Sequence, residues 1–508
     1  MQRVPVVHGS QVIGSRRGTS SHQYNPFMIL TAPDTTETNG ECYGLSFVYS
    51  GSFKAEVAKD QYNQVRVSMG LQEERFCFEL KPGQTFFAPE VVLAYSDEGL
   101  GALSRQYHKL YRYHLCRGKY KTIPRPVLVN NWEATYFDFT GDKIYEIGKH
   151  ARELGIEMLV LDDGWFGKRD TDYSGLGDWE VNEKKVGGPL KSLVDRINGL
   201  GLKFGLWVEP EMVSEDSDLY RTHPDWAFAI PGRKPIRSRS QLVLDFSRPE
   251  VVDHIYRQIS LILDNANIEY MKWDMNRSIA DVYSATTAAK NQGEVLYRYM
   301  LGLYDFLERL HVNYPDLLLE GCCGGGGRFD AGMLYYSPQI WGSDNTDAID
   351  RISIQYGTSF GYPVSSVGSH VSATPNHQNG RITSLQTRGV VAMAGSFGYE
   401  LDLCKLTEEE KEVIKLQIKD YHKYWDLIHN GDYHRLTDVT KRRDLAAWQF
   451  VSEDKKKTLI NLVMLETHGN PVTSYIKAAG LAPEKKYREE KSGRTYTGAA
   501  LMYGGLPV

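Results

Sequence analysis

The amino-acid sequence predicts an α/β fold: a (β/α)8 TIM barrel with a partial N-terminal β-sandwich and a small C-terminal β-sandwich. Eight apolar, strand-like segments alternate with helical patterns in the middle of the chain, which is typical of a parallel sheet. Strand-like segments without such helices precede and follow this region. At 508 residues the chain is also longer than a single ordinary domain. We therefore expect three parts, residues 1–125, 126–430 and 431–508, with a doubly wound sheet as the alternative to the barrel.

The first part contains short apolar or alternating runs separated by glycine and proline, a pattern typical of antiparallel sheet. These runs are FVYSGSFKAEV, NQVRVSMG, RFCFEL and FFAPEVVLAYS. Within residues 99–115, Leu103, Tyr107 and Leu110 recur at helical spacing. This spacing predicts one amphipathic helix that leads out of the sheet toward the barrel.

The barrel part contains eight candidate strands with helical patterns between most of them. The strands are VLVNNW (127–132), MLVLDDGW (158–165), FGLWVEP (204–210), LVLDFS (242–247), YMKWDMN (270–276), LLLEGC (317–322), QIWGSDN (339–345) and VVAMAG (390–395). Helices are predicted at 141–155, 189–200, 249–265 and 293–313. Eight strands so separated over about 300 residues match the size of a (β/α)8 barrel.

The last part begins after a predicted helix at residues 407–428. Two strand-like runs, LAAWQFVS and KTLINLVML, then follow. They predict a small β-sandwich at the end of the chain.

Composition excludes several classes of partner. The formal net charge is -5 and no long block of Lys and Arg is present, so we expect no nucleic-acid partner. No apolar run is long enough for a membrane span or for the core of a signal peptide, so we expect a cytoplasmic protein without membrane contact. The six cysteines form no CxxC pair, and we expect no metal and no organic cofactor.

Catalytic groups of a (β/α)8 barrel come from the carboxyl ends of its strands, and carboxylates end several of the predicted strands. Side chains alternate along a strand, so Lys272, Asp274 and Asn276 share one face. A cation and an amide beside a carboxylate favour its ionised form and fix its orientation, as a nucleophile requires. Asp274 is therefore a candidate nucleophile, with an ion pair inside the barrel as the alternative.

A retaining glycosidase needs a second carboxyl group that protonates the leaving oxygen and then activates water. Position alone leaves this role open among six residues: Asp162, Asp163, Glu209, Glu211, Asp344 and Asp347. The adjacent Asp162 and Asp163 can also accept hydrogen bonds from sugar hydroxyls. Trp132, Trp165 and Trp207 offer apolar faces for a pyranose ring, or they pack under the rim loops.

Five motifs carry a resemblance to a known family. They are LDDGWFG (161–167), LWVEPEM (206–212), KWDMNR (272–277), EGCCGGGGRFD (320–330) and WGSDNTDAIDR (341–351). With them the sequence resembles the bacterial α-galactosidases, or melibiases, of glycoside hydrolase family 36. The likeness covers essentially the whole chain. It implies a retaining exo-α-galactosidase that hydrolyses terminal α-D-galactosyl residues of melibiose- or raffinose-type oligosaccharides by double displacement.

The resemblance also implies a role for individual residues. Asp274 is implied as the nucleophile and Asp344 as the general acid/base. Asp162 and Asp163 are implied as ligands of galactose hydroxyls. The other implied pocket residues are Trp132 and Trp207 as walls, with Arg239, Lys272, Asn276, Cys322 and Gly325 lining the sugar.

One departure from the family concerns the N-terminal region. Family members usually begin with a large β-supersandwich, and the match here starts in its final part, so we expect most of that domain to be absent. Tetramers in the family imply a homo-oligomer. Two alternatives to hydrolysis stay open at this point. One is a galactosyltransferase that passes the same covalent intermediate to a sugar acceptor, and the other is a non-catalytic galactoside-binding remnant.

Overall fold

A computed structural model describes residues 2–467, 469–470 and 473–508. It contains a closed barrel of eight strands with antiparallel sheets before and after it in the chain, which confirms the predicted fold class. The boundaries of the three predicted parts stay a prediction. No helix in the described part of the chain has both the length and the apolarity that crossing a membrane requires.

The first part forms two three-stranded antiparallel sheets. Its strands are β1 (Gly9–Gly14), β2 (Phe27–Thr31), β3 (Cys42–Phe47), β4 (Phe53–Lys59), β5 (Val65–Leu71) and β6 (Val91–Ser96), in the orders β1-β4-β5 and β2-β3-β6. The predicted strand RFCFEL (75–80) is wrong, because Phe76 and Phe78 lie in a loop. Their rings pack against Tyr297 with centroids 6.3 and 5.7 Å away, so this apolar run fills a gap beside the barrel.

The barrel strands come from the middle of the chain. The strands in this region are β7 (Leu128–Asn130), β8 (Met158–Leu161), β9 (Lys203–Val208), β10 (Met212–Val213), β11 (Leu242–Val243), β12 (Tyr270–Trp273), β13 (Leu318–Gly321), β14 (Gln339–Trp341), β15 (Val367–Ser372) and β16 (Ser396–Glu400). All except β10 and β11 close the barrel, in the order β7-β8-β9-β12-β13-β14-β15-β16. Each neighbouring pair is parallel.

Two of the eight predicted barrel strands are wrong. The segment 242–247 forms only the short strand β11, which pairs antiparallel with β10 outside the barrel. The segment 390–395 lies in and after a helix, Leu385–Ala392, since a short apolar run does not distinguish a buried helix from a strand. The missed strands β15 and β16 carry polar residues at buried positions, including Ser369 and Glu400, and they therefore lack an apolar run.

The helices surround the barrel and connect it to the sheets. They are α1 (Gly99–Leu110), α2 (Trp132–Thr135), α3 (Gly141–Leu154), α4 (Glu183–Val186), α5 (Leu190–Gly199), α6 (Asp218–Thr222), α7 (Pro249–Asn265), α8 (Val295–Asn313), α9 (Ala331–Tyr336), α10 (Ala348–Thr358), α11 (Leu385–Ala392) and α12 (Glu408–Asn430). The predicted helices agree with α1, α3, α5, α7, α8 and α12, and a π-helical turn at Tyr111–Leu115 extends α1. Helix α12 begins with a capping box between Thr407 and Glu410, which satisfies amides that a helix start leaves unpaired.

The last part is a three-stranded antiparallel sheet with two short ribbons. Its strands are β17 (Asp432–Arg435), β18 (Leu445–Val451), β19 (Thr458–Met464), β20 (Tyr475–Ile476), β21 (Lys486–Arg488), β22 (Thr495–Thr497) and β23 (Leu506–Pro507). The sheet has the order β17-β18-β19, and β20 pairs with β23 and β21 with β22. The two strands predicted here are β18 and β19, and one side of the sheet joins the core that continues into the barrel.

Candidate active site

The carboxylates predicted for the site lie at the carboxyl ends of the barrel strands. Asp162 follows β8, Asp274 follows β12, and Asp344 lies three residues beyond β14. Strand β9 separates β8 from β12, and β13 separates β12 from β14. The three side chains therefore belong to the same rim, where barrels of this kind carry their catalytic groups.

Asp274 receives hydrogen bonds on both carboxylate oxygens. The backbone amides of Met275 and Gly324 donate to Oδ1 at 2.8 and 3.2 Å. The side chains of Asn276 and Trp207 donate to Oδ2, from Nδ2 at 2.6 Å and from Nε1 at 3.2 Å. These N–H donors favour the ionised carboxylate and fix its orientation.

Nearby charges determine the protonation of Asp274. Burial alone raises the pKa of this carboxyl group, but Lys272, Arg239 and hydrogen bonds from Cys322 and Asn276 together bring the pKa of Asp274 below its usual value. Asp274 is therefore a buried anion at neutral pH, the state that a nucleophilic carboxylate requires.

Asp344 has different surroundings. Trp341 donates from Nε1 to Oδ1 at 3.1 Å, and Asp344 is exposed to solvent. The protein around it and the negative charge of Asp274 raise the pKa of Asp344, although Lys272 and Arg239 partly oppose this. Two carboxyl groups whose pKa values separate in this way can serve as nucleophile and as acid.

A glycine loop, defined as residues 324–327, contacts the carboxylate of Asp274 and the backbone of Asp344. Gly324 donates to Asp274, and a Cβ atom on Gly325 would lie 2.6 Å from the backbone nitrogen of Asp344. Gly325 also has a φ of +82°, a left-handed conformation that glycine adopts at little cost. Both the conformation and the close approach therefore require glycine at position 325.

Comparison with known families identifies the chain. Residues 85–431 match the Melibiase family, residues 1–81 match the N-terminal domain of glycosyl hydrolase family 36, and residues 445–508 match its C-terminal domain. The chain belongs to glycosyl hydrolase family 36. This finding confirms the family that the five sequence motifs indicated.

Curated relatives of this family 36 chain are similar along its whole length. It is 59% identical over 508 residues to the bifunctional alpha-galactosidase/sucrose kinase AgaSK of Mediterraneibacter gnavus, and it spans 53% of that protein. It is 51% identical over 508 residues to alpha-galactosidase AgaA of Geobacillus stearothermophilus, of which it spans 69%. The chain thus spans about half the length of the first relative and about two thirds of the second.

Solved structures of the family share the same fold. The galactosidase domain of AgaSK matches with a TM-score of 0.97, covering 100% of this chain and 69% of that chain. The crystal structure of AgaA from Geobacillus stearothermophilus matches with a TM-score of 0.98, covering 100% and 70% of the two chains. The barrel and its flanking sheets are therefore the family 36 arrangement.

Asp162 in this family 36 chain is paired with a buried lysine. Lys272 Nζ lies 3.0 Å from Asp162 Oδ2, and Asn130 Nδ2 donates to the same oxygen at 2.6 Å. Burial by itself lowers the pKa of Lys272, but Asp162 and other nearby anions hold that pKa well above its usual value. Lys272 is therefore a fixed cation that pairs with Asp162 and also lowers the pKa of Asp274.

Asp163 is held by Arg169, a residue that the sequence did not single out. Arg169 Nε lies 3.0 Å from Oδ1 and Nη2 lies 2.8 Å from Oδ2, with both residues buried. Nε also lies 3.2 Å from Oδ2, so Oδ1 is the oxygen with more capacity for a further donor. The role of Asp163 as a ligand of a galactose hydroxyl stays a prediction.

The remaining predicted pocket residues lie around the carboxylates. Arg239 is an exposed residue, and its Nη1 donates to Asn276 Oδ1 at 2.6 Å. The thiol of Cys322 is buried and helps to lower the pKa of Asp274. Trp132 is half-buried, and Trp207 is almost fully buried with its Nε1 on Asp274.

Trp165 is a core residue rather than a wall of the pocket. It is fully buried and donates from Nε1 to the carbonyl oxygen of Trp207 at 2.9 Å. Its ring packs on Phe166 and Trp179. It therefore supports Trp207 from beneath.

Three other carboxyl groups that remained candidates for the acid/base by position, those of Glu209, Glu211 and Asp347, are engaged by other protein groups. Gln241 donates to Glu209 at 2.6 Å, and the backbone and side chain of Asn276 donate to it as well. Glu211 is bound by Arg328 with neither side chain exposed beyond 1%. Asp347 caps helix α10 by accepting from the amide of Asp350. Asp344 is the rim carboxyl that combines solvent access with a raised pKa.

Several contacts of the site were missed by sequence reasoning. Trp341, Gly324 and Arg169 contact the predicted carboxylates directly. Trp341 and Gly324 lie inside two of the five motifs, so their neighbours in sequence were the available signal. In the described part of the chain, no group of three or more His, Cys, Asp or Glu side chains is arranged to hold a metal ion.

Proposed function

We propose that this chain is a retaining exo-α-galactosidase that hydrolyses terminal α-D-galactosyl residues of melibiose- and raffinose-type oligosaccharides. The observation that carries the proposal is the pair Asp274 and Asp344, whose pKa values shift in opposite directions beside one glycine loop. A retaining glycosidase needs one ionised and one protonated carboxyl group across the scissile bond.

In the first displacement, an oxygen of Asp274 attacks the anomeric carbon of the galactosyl residue. Asp344 donates its proton to the glycosidic oxygen, so the carbon–oxygen bond breaks and the remaining sugar leaves as an alcohol. The product is a covalent β-galactosyl ester of Asp274. The hydrogen bonds on Asp274 keep its carboxylate aimed at one face of the sugar.

In the second displacement, Asp344 removes a proton from an incoming water molecule. The water oxygen attacks the anomeric carbon and releases Asp274 as a carboxylate, so α-galactose forms with net retention. Solvent access at Asp344 supports this step, because the water has to arrive on the same side that the leaving sugar vacated. The proposed reaction uses carboxyl groups and water alone.

The galactose residue is held by the polar and aromatic side chains around the two carboxylates. In the proposed complex, Asp162 and Asp163 accept hydrogen bonds from its hydroxyls, and Trp132 and Trp207 bound the ring as walls. The other proposed contacts come from Arg239, Lys272, Asn276, Cys322 and Gly325. Neutral sugars are recognised by this combination of hydrogen-bonding and apolar surfaces.

The known structures of relatives support the substrate class. Variants of AgaA from Geobacillus stearothermophilus, 50% identical to this chain, have been solved in complex with raffinose, with stachyose and with 1-deoxygalactonojirimycin. The shared fold at a TM-score of 0.98 supports the same class of ligands here. Because the curated relatives are described as α-galactosidases, we favour hydrolysis over galactosyl transfer and over binding without catalysis.

We also propose a cytoplasmic location. The six cysteines are all free thiols, and four of them are buried, which supports a reducing compartment. The homo-oligomer implied by the family resemblance stays a prediction.

The experiment that tests the proposed function is the release of p-nitrophenol from p-nitrophenyl α-D-galactopyranoside by the 508-residue chain. An Asp274→Asn variant is the control, since it keeps the size of the side chain and removes its charge. We expect turnover by the wild type and loss of about 10³-fold or more in the variant, because the covalent step is removed. Proton NMR of the first-formed sugar should show the α-anomer. Initial release of the β-anomer, or equal activity of both proteins, would refute the proposal.

A further inference from the structure

Glu211 is a fully buried carboxylate beyond the end of β9, and three side chains donate to it. Its carboxylate accepts from Arg328 through Nη1 at 3.0 Å and Nη2 at 2.7 Å. Trp273 Nε1 donates to it at 2.8 Å, and the Tyr299 hydroxyl donates at 2.6 Å. A buried ion pair is tolerated when further hydrogen bonds satisfy it in this way.

The partners of Glu211 belong to the two chain segments that hold the catalytic carboxylates. Trp273 directly precedes Asp274 at the end of β12. Arg328 directly follows the glycine loop, which donates to Asp274 and packs against the backbone of Asp344. Glu211 itself follows β9, the strand next to β12. One buried carboxylate therefore ties the nucleophile strand to the loop that contacts the carboxylate of Asp274 and the backbone of Asp344.

We propose that the Glu211–Arg328 ion pair is a positioning device that fixes the spacing between Asp274 and Asp344. It does so by holding the glycine loop at one distance from the end of β12. Both residues are positioning residues, because they act through Trp273 and the glycine loop. This inference rests on the proposed function, in which the spacing of the two carboxyl groups determines the double displacement.

The planar fork of the arginine is what gives the pair its geometric restraint. A bidentate guanidinium–carboxylate contact restricts both distance and orientation, whereas an ammonium contacts the carboxylate as a single point charge. Within the described residues, Glu211 is the carboxylate with which Arg328 forms an ion pair. An Arg328→Lys substitution therefore keeps the charge and removes the restraint.

The kinetic test compares wild type with Arg328→Lys. We expect kcat to fall about 10- to 100-fold, with KM within about threefold, because a displacement of about 1 Å is enough for such a loss. The basic limb of the pH profile should also move to lower pH. The acid must be protonated to act, and the charge of Asp274 helps to raise the pKa of Asp344. Because a wider separation weakens that effect, the pKa of Asp344 falls and activity is lost at a lower pH.

A matched control separates positioning from general stability. Arg435 is also a buried arginine in an ion pair, with Nη2 2.9 Å from Glu37 Oε1 and 3% side-chain exposure, and its other contacts lie outside the site. Arg435→Lys should lower the unfolding temperature while leaving kcat and the pH profile unchanged. A purely structural role for Arg328 predicts the same behaviour in both variants, and that outcome would refute the inference.

Tyr299→Phe provides a milder variant should Arg328→Lys fail to fold. It removes one donor to Glu211 and keeps the ring, so we expect a smaller shift of the basic limb in the same direction. No shift in this variant would count against the inference.

A crystal structure of Arg328→Lys gives a readout that does not depend on turnover. We expect the glycine loop to move and the hydrogen bond from the Gly324 amide to Asp274 to break. An unmoved loop would overturn the inference whatever the activity. A displaced loop in the variant, together with an inert wild type, would instead overturn the proposed function and leave the positioning role intact.

Discussion

The indole nitrogen of Trp207 lies 3.2 Å from Oδ2 of Asp274. Trp207 is on β9 and pairs in register with Lys272 of the adjacent strand β12. A residue that the sequence suggested as a sugar wall is thus also a hydrogen-bond donor to the candidate nucleophile. The contact links the wall of the pocket to the charge of the carboxylate.

A Trp207→Phe substitution should move the acidic limb of kcat/KM to higher pH. The ring remains, but the ionised form of Asp274 loses a donor, so the pKa of Asp274 rises. Asp274 must be ionised to attack, and activity is therefore lost at a higher pH as the medium is acidified. A hydrogen bond to a charged group contributes about 1.5–3 kcal/mol, or about one to two pH units. The pH profile on p-nitrophenyl α-D-galactopyranoside measures this, and an unchanged acidic limb would contradict it.

A Gly325→Ala substitution should displace Asp344 without unfolding the protein. The added Cβ would lie 2.6 Å from the Asp344 nitrogen, so the acid/base must shift, and kcat should fall about 100-fold. Gly380→Ala is the matched control, since Gly380 has a φ of +74° and open space around its Cβ position. Both variants share the cost of a left-handed alanine, roughly 1–2 kcal/mol. Equal activity of the two variants would show that the close approach at Gly325 is unimportant.

Replacing Lys272 by Met should destabilise the protein more than replacing both members of its ion pair. Lys272→Met leaves Asp162 buried without its cation, which costs about 3–5 kcal/mol in the free energy of unfolding. The double variant Lys272→Met with Asp162→Asn removes both charges, so most of this loss should be recovered. Urea unfolding of the wild type, both single variants and the double variant measures the coupling. Additive losses would mean that the contact at 3.0 Å contributes no net interaction.

Glu400 should make the protein less stable as the pH rises through neutrality. Burial raises the pKa of Glu400 to about 8, well above that of the unfolded chain, at about 4.3. The folded state therefore binds the proton more tightly than the unfolded chain does. This contribution to stability is complete below about pH 4 and is lost as the pH rises toward 8. The free energy of unfolding falls by at most about 1.4 kcal/mol per pH unit in this range. Glu400→Gln should flatten the dependence of unfolding free energy between pH 5.5 and 7.5, in about 0.5-unit steps. A variant that keeps the wild-type slope would exclude Glu400 as its source.

Sequence periodicity succeeded where apolar runs were long or were bounded by clear signals. Helices α3, α5, α7, α8 and α12 lie where their spacing predicted them, because each buries one apolar face. Sequence periodicity failed to predict β15 and β16, which place polar side chains at buried positions. Glu400 of β16 and His370 of β15 hydrogen-bond each other at 3.0 Å, so their polarity is satisfied by a contact that no local pattern reveals.

The residue types of the site were also accessible from sequence. The alternation along one strand placed Lys272, Asp274 and Asn276 on one face, and the five motifs assigned Asp344. Alternation could not decide which of the rim carboxyl groups is the candidate acid/base. Glu211 occurs in the same kind of position as Asp344, yet its carboxylate is occupied by an ion pair with Arg328.

The sequence by itself thus determined the barrel class, most of the helices and the family, since these follow from local periodicity and from motifs, and it predicted the two carboxyl groups. The tertiary structure alone decided how those groups are charged and spaced. The pKa of a carboxyl group depends on burial and on charges that distant parts of the chain bring near it, here Arg239 for Asp274 and Asp274 for Asp344. The glycine loop lies beside both Asp274 and Asp344 because the closed barrel brings β12, β13 and β14 together, and that proximity has no counterpart in linear order.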